Sequence, residues 1–282
     1  MERKNTIKIS KNNQEFEKAY AAILSEYELQ LNLFLRNLDG SDGALPPQNI
    51  RGAVLNENNN IELLFLNAYP FNLQLFALGD GVTRATTDLA KYCVDNNIAV
   101  RGVQGEWELC SAFVNEYEKL TGKTMRPQLS MDILRLTKLN TIATDGKLRL
   151  ATENDEFTVE GIAALRSETV GQCDNEFARA KLKALVAERN LFVYENEEGI
   201  PVSFAQAKPY GSYATLGYVY TQPQYRNRGY GKAMVHEVCK RIIKEYKGVV
   251  LFVDKTNPIP NKLYSAVGFE KVCENYDFRV VE

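Results

Sequence analysis

The stretch ATLGYVYTQPQYRNRGYGKAMVHEVCKRI, Ala214 to Ile242, leaves little freedom in what it folds into. An apolar strand runs into a turn, and Met234, Val235, Val238, Ile242, Ile243 and Tyr246 then recur at helical spacing. The turn holds Arg226, Arg228, Gly229, Gly231 and Lys232, so the glycines stand where a strand hands over to a helix. A helix amino terminus exposes unpaired N–H groups and a partial positive charge, both suited to phosphate oxygens. Glycines keep side chains away from those amides, and either can take a positive φ at low cost. An α/β chain with an anion site at this turn is the expectation.

The remainder of the chain sets the context. Its 282 residues exceed the commonest domain size, and 45% hydrophobic with 25% charged residues supplies real cores and argues against disorder. The 34 Lys and Arg nearly cancel the 36 Asp and Glu, leaving −2, so neither nucleic acid nor an anionic membrane is an expected partner and any positive site must be local. Cys93, Cys110, Cys173, Cys239 and Cys273 are odd in number and form no C-x-x-C pair, which points to reduced thiols and no metal. MERKNTIKIS lacks a following apolar core and no apolar run approaches the roughly 20 residues that span a bilayer, so a cytoplasmic protein is expected.

Periodicity predicts one amphipathic helix through Phe16, Tyr20, Leu24, Leu31 and Leu35, then strands in IELLFLNAY and FNLQLFALG. A helix in GVTRATTDLAKYCVDNN, a strand in IAVRGV, a helix in EWELCSAFVNEYEKLTG and a strand in QLSMDILRL complete the first half. The turn Thr144–Lys147 marks a boundary, giving domains 1–143 and 144–282. Thr152 or Asn154 can cap the next helix. There follow a helix in NEFARAKLKALVAERN, three strands, the helix from Gly229 to about Tyr246, a strand GVVLFVD, a helix near NKLYSAV and a final strand pair from Phe269. The halves share a rough element order, so the first reads either as a structural duplicate or as an unrelated α/β half. It has only LGDGVTRA where the second has the basic turn.

Lys232 is followed by Ala233 rather than Ser or Thr, and the four-residue gap of a Walker loop is absent. A dinucleotide fingerprint would need glycine at Met234. What stands is R-x-x-G-x-G at Arg226, Gly229 and Gly231. This resembles the acetyl-CoA pyrophosphate loop of the GNAT superfamily of N-acetyltransferases. Asn257, Tyr264, Gly268 and Phe269 in NPIPNKLYSAVGF match a second GNAT signature in the right order. NPIPN, with RGVQGEWELCSAF and GKLRLAT, also resembles a bacterial branch of GNAT proteins with a long amino-terminal extension, and the layout resembles glycine N-acyltransferase-like enzymes. The resemblance implies a mixed, twisted central sheet flanked by helices in the second half, preceded by an α/β half that can be a degenerate GNAT-like repeat.

It further implies an acetyl-CoA-dependent N-acetyltransferase acting on a primary amine, of a small molecule by analogy, through direct attack in a ternary complex. Arg226, Asn227, Arg228, Gly229, Tyr230, Gly231, Lys232 and Ala233 would hold the cofactor's pyrophosphate. Val219, Tyr220 and Thr221 would pair with its pantetheine arm, and Asn257 and Tyr264 would contact it. Tyr264 would be the general acid, since protonating a thiolate leaving group of pKa about 8.5 assists collapse of the intermediate. No cysteine lies in either motif. SYATLGYVY lacks the strand glutamate that the family often uses as base, leaving Glu195 and Asp254 as candidates that read equally as solvated strand ends. His236 lies well inside the helix and is a poor base candidate. Trp107, Glu106 and Arg101 read as helix-start packing or as acceptor contacts. The missing carboxylate motivates the alternative: an acyl-CoA-binding sensor or scaffold without catalysis.

Overall fold

The computed structural model describes residues 5–39, 49–69, 71–79, 82–170 and 174–281. The chain divides into two compact units, Met1–Asp132 with Cys273–Glu282, and Ile133–Val272.

In the first unit β1 (Thr6–Ile9), α1 (Asn13–Glu26), α2 (Asn32–Asp39), β2 (Ile50–Leu55), β3 (Ile61–Asn67), β4 (Leu73–Ala77), α3 (Val82–Asp95), β5 (Gly102–Gly105), α4 (Trp107–Thr121) and β6 (Thr124–Leu136) follow in order. The second repeats that order: β7 (Lys147–Leu150), α5 (Glu156–Val170), α6 (Asn175–Ala187), β8 (Leu191–Glu195), β9 (Pro201–Tyr210), β10 (Tyr213–Thr221), α7 (Tyr230–Ile242), β11 (Gly248–Asp254), α8 (Pro258–Val267) and β12 (Phe269–Val281). The strands of the first unit lie in the order β1-β2-β3-β4-β5-β12, those of the second β7-β8-β9-β10-β11-β6. Each sheet therefore takes its sixth strand from the end of the other half, and β6 and β12 each carry the chain from one unit into the other.

Alternation along the central strands makes three layers in each unit. In the first, Leu63 and Phe65 pack toward Leu89 and Phe113 of α3 and α4, while Leu64 and Leu66 pack toward Phe16 and Phe34 of α1 and α2. In the second, Phe192 and Tyr194 meet Val235, Val238 and Cys239 of α7; Leu191 and Val193 meet Ile162 and Leu182 of α5 and α6. A fully buried side chain such as Phe65 contributes about 2–3 kcal/mol of hydrophobic free energy.

Several expectations need correction. The single first helix is two, because the chain turns between Tyr27 and Asn32 to bury Leu29 and Leu31. The cap of α5 is neither Thr152 nor Asn154: Asp155 precedes the helix and its carboxylate accepts from the Thr152 N–H at 2.7 Å. The final strand pair is one thirteen-residue strand, β12. Within it Asp277 is buried in the ladder beside Gln104 and held by Arg279 at 2.7 Å. The breaker-rich residues 40–48 and Cys173 lie outside the described residues. Among the described cysteines Cys93, Cys110 and Cys239 are free and buried. Among the described residues no helix is long and apolar enough to cross a membrane.

Candidate active site

Strand β10 runs parallel to β11 only from Tyr213↔Gly248 to Leu216↔Leu251, whereas its antiparallel register with β9 continues to Thr221↔Ser203. Between Gly217 and Tyr220 that register shifts, and Tyr218 takes φ +48°. A bulge adds a residue, bends its strand and tightens its twist, so the end of β10 leaves β11 and the edge at Val219–Thr221 opens toward the following turn.

A 3-10 turn at Pro223–Tyr225 leads from that edge to α7. Arg226 folds back, its Nε donating to the Thr221 carbonyl at 3.0 Å while its guanidinium lies 5.6 Å from the Tyr220 ring centre. Asn227 at φ +61° and Gly229 at φ +89° reverse the chain. Gly229 is the helix cap, and no side chain caps the first turn. The amides of Tyr230, Gly231 and Lys232 precede the first helical bond, from the Ala233 N–H to the Gly229 carbonyl at 3.0 Å.

The two glycines serve different ends. Gly229 has open space around it and is needed for its left-handed backbone. A Cβ on Gly231 would stand 3.0 Å from Thr221 Oγ1 and 3.3 Å from Leu263 Cδ1. Its absence lets α7 approach both the end of β10 and α8. Thr221 Oγ1 is fixed in turn by Ser203 Oγ at 2.9 Å.

Arg228 is exposed, with its guanidinium 5.8 Å from the Tyr225 ring, which sits edge-on to Tyr230. Arg228, Gly229, Tyr230 and Lys232 line a cleft of about 430 Å³ together with Asp145, Glu197 and Glu198. Ala233 is buried beneath the loop.

Tyr264 lies on α8 at 8% exposure, its ring 5.8 Å from Phe269 in an edge-to-face pair. Burial, with the Cys239 thiol adding a smaller part, pushes its hydroxyl well above the usual range. Tyr264 therefore holds its proton across neutral pH, as a donor must. Asn257 occupies the turn after β11, its N–H on the Asp254 carbonyl at 3.2 Å and its carbonyl accepting from Asn261 Nδ2 at 2.9 Å.

Both carboxylates considered as bases have structural work. Asp254 Oδ1 accepts from the Thr256 N–H at 2.8 Å and hydroxyl at 2.7 Å, closing the turn after β11. Glu195 pairs with Arg149 Nε at 2.6 Å, and the same guanidinium grips both oxygens of Asp155 at 2.9 and 2.7 Å. Burial alone would raise the Asp155 carboxyl, but Arg149 and Thr152 hold it below the ordinary carboxylate range. His236 is buried in α7 with Nδ1 3.1 Å from Glu237. Trp107 packs on Tyr276 and Phe278, and Arg101 lies over Tyr69 at 4.4 Å.

The bulge at Tyr218 and the Ser203–Thr221 hydroxyl pair were not predicted. Gly217 beside three residues of β propensity is the only hint of the bulge, and a hydroxyl pair eighteen residues apart depends on register. Among the described residues no group of three or more His, Cys, Asp and Glu is placed to hold a metal ion.

Residues 206–278 match the family model of FR47-like protein. No curated protein sequence matches the chain. Its fold is similar to that of a GNAT-family acetyltransferase from Colwellia psychrerythraea, with 14% identity over 98% of this chain and 100% of the other and a TM-score of 0.57. It is also similar to a GCN5-related N-acetyltransferase from Sphaerobacter thermophilus, with 15% identity, 98% and 95% coverage and a TM-score of 0.60. A tandem GNAT protein from the clavulanic acid biosynthesis pathway aligns over 99% of this chain and 98% of its own, at 12% identity and a TM-score of 0.51. The chain thus has the fold of GNAT acetyltransferases, and within it residues 206–278 match the FR47-like family model.

Proposed function

We propose that this chain transfers an acetyl group from acetyl-CoA to a primary amine of a small molecule, by direct attack in a ternary complex. The observation that carries the reading is the parting of β10 from β11 after Leu216, just before an uncapped basic helix start. Acetyl-CoA would supply the thioester. The first-turn amides of α7, with Arg228 and Lys232, hold a pyrophosphate, because unpaired N–H groups and cationic side chains suit the same oxygens. Arg226 joins that set through its terminal N–H groups while its Nε holds the strand end. The open edge at Val219–Thr221 takes the pantetheine arm as an added strand, and an amide there polarises the thioester carbonyl. Asn257 steadies the turn beside it.

The amine nitrogen attacks the carbonyl carbon, the C–N bond forms and the C–S bond breaks. The phenolic proton of Tyr264 goes to the departing sulfur, and the proton lost by the amine passes to water, from which the Tyr264 phenolate is reprotonated. Cys239 is no nucleophile, since burial raises its thiol far above neutral pH. Titration calorimetry with acetyl-CoA tests the cofactor site: binding weakened at least tenfold by Arg228→Glu is expected, and no binding by the wild-type chain would sink the reading.

One observation favours a second reading. Asp254 and Glu195 are both occupied structurally, which suits a protein that binds acyl-CoA without turning it over. A tight acetyl-CoA complex that acetylates nothing across a broad amine panel would select that alternative.

A further inference from the structure

The first unit holds a small polar cavity of about 30 Å³, between α2 and the ends of β4 and β5. That is room for the centres of one or two water-sized groups. Gln74, on β4, is 4% exposed; its Nε2 donates to Gln104 Oε1 at 3.2 Å, and its own Oε1 is buried without a partner. Asn275, on β12 and lining the same cavity, also buries an unpartnered Oδ1. Two buried acceptors without donors are costly unless something supplies N–H or O–H groups. Glu106 stands at the exposed margin as a third acceptor, and among the described residues no Lys or Arg lines the cavity. Leu31 and Phe34 form its apolar side.

We propose that this cavity binds the head of a primary ammonium, R–NH3⁺, with its N–H groups on Gln74 Oε1, Asn275 Oδ1 and the Glu106 carboxylate. The cation is favoured because both buried atoms left without a partner are acceptors and Glu106 adds a carboxylate at the margin. A primary head is favoured because the space admits an NH3⁺ and its first carbon, while the alkyl body can run along Leu31 and Phe34. This site belongs to the first unit alone and stands whether or not the second unit transfers an acyl group.

The full-length chain is titrated with n-propylammonium chloride and, separately, with tetramethylammonium chloride, which has the charge but no N–H. For so few heavy atoms a dissociation constant on the order of millimolar is expected, followed by protein-observed NMR. Propylammonium should shift resonances saturably and tetramethylammonium should not. Glu106→Gln, at an exposed position, should weaken binding about fivefold, and Asn275→Leu about tenfold. Gln74→Leu should abolish binding; if it fails to fold, the Asn275 and Glu106 variants carry the test. Equal responses to both cations, no saturable response, or crystals soaked in propylammonium that show only ordered water in the cavity would overturn the proposal.

Discussion

The turn after β4 and the turn after β10 start from the same construction and end differently. In the first unit the Leu78 N–H donates to the Glu62 carbonyl at 2.9 Å; in the second the Gln222 N–H donates to Val202 at 3.0 Å. From there the second unit places seven residues, Pro223 to Gly229, before α7. The strand before each turn differs too. β4 runs against β3 without interruption from Leu66↔Gln74 to Leu63↔Ala77, where β10 carries its bulge. Gln74 stays paired to Gln104, backbone and side chain, at the level where β10 and β11 have parted. A Cβ at Gly79 would fall against the Glu62 carboxylate, which also accepts from Asn56 Nδ2. The first unit thus keeps an acid of its own beside its turn, where the second offers Arg228 and Lys232. One extra residue in a strand and the residues beside the turn separate an acidic end from a basic one.

If that contrast reflects chemistry, the largest effect should come from making α8 resemble α4. The seventh residue of α4 is the fully buried Phe113, and the seventh of α8 is Tyr264. Tyr264→Phe keeps the edge-on packing with Phe269 and removes only the proton donor. Turnover should fall roughly 10²–10⁴-fold, the usual worth of general acid catalysis, with acetyl-CoA affinity within about twofold. Unchanged turnover in steady-state assays would take Tyr264 out of the chemistry.

A second test concerns how each unit closes its outer hairpin. The second unit uses charge, Arg149 between Glu195 and Asp155, where the end of β2 buries Leu55. Asp155→Asn leaves part of the guanidinium facing a neutral amide and should cost about 2–3 kcal/mol at pH 7 in urea unfolding, somewhat below the 3–5 of a fully buried pair because Arg149 is partly exposed. The sign with pH follows from the lowered folded value of the carboxyl. Its stabilisation is complete above the unfolded pKa of about 4 and is lost as pH falls through the folded value. The gap between wild type and variant should therefore be flat near neutrality and narrow in acid; a gap that widened on acidification would contradict the assignment.

Arg228→Glu turns the basic margin of the second turn toward the acidic character of the first. It should weaken acetyl-CoA binding about tenfold or more, about 1.4 kcal/mol for each decade, and leave folding unaffected because Arg228 is exposed. Arg226→Ala should differ: losing its bond to the Thr221 carbonyl frees the strand end, so thermal stability and affinity should fall together.

How much of this was legible follows from the range of each interaction. The basic turn, the helix stripe of α7 and the α8 signature are contiguous in sequence, and the structure places Thr221, Gly231 and Leu263 against one another as their order suggests. The duplicated element order was visible as an outline. Periodicity could not show that β12 leaves the second unit at Cys273, because that depends on Tyr276–Arg279 finding Gly102–Gly105, more than 160 residues away. Nor could it show the bulge, since Tyr218 has no intrinsic preference for a positive φ. Glu195 is a similar case: its chemistry was readable, but its bond to Arg149 depends on the β7–β8 register.

The smallest effect probes the duplication itself. The turn between β2 and β3 and that between β8 and β9 match bond for bond. The Asn56 N–H reaches the Asn60 carbonyl at 2.9 Å, and the Asn196 N–H reaches Ile200 at 2.9 Å. Asn56 Oδ1 accepts from the Asn58 and Asn60 amides, and Asn196 Oδ1 from Glu198 and Ile200. At the left-handed position the first turn has Asn59 at φ +60° and the second Gly199 at φ +75°. Asn tolerates that region better than other residues with a side chain, and a Cβ at Gly199 meets nothing. Gly199→Asn should therefore change stability by less than about 0.5 kcal/mol, while Gly199→Val should cost at least 1–2. Two turns that accept each other's residue at this point are one device used twice. A loss from Gly199→Asn as large as that from Val would mean that the turns share hydrogen bonds but not backbone energetics.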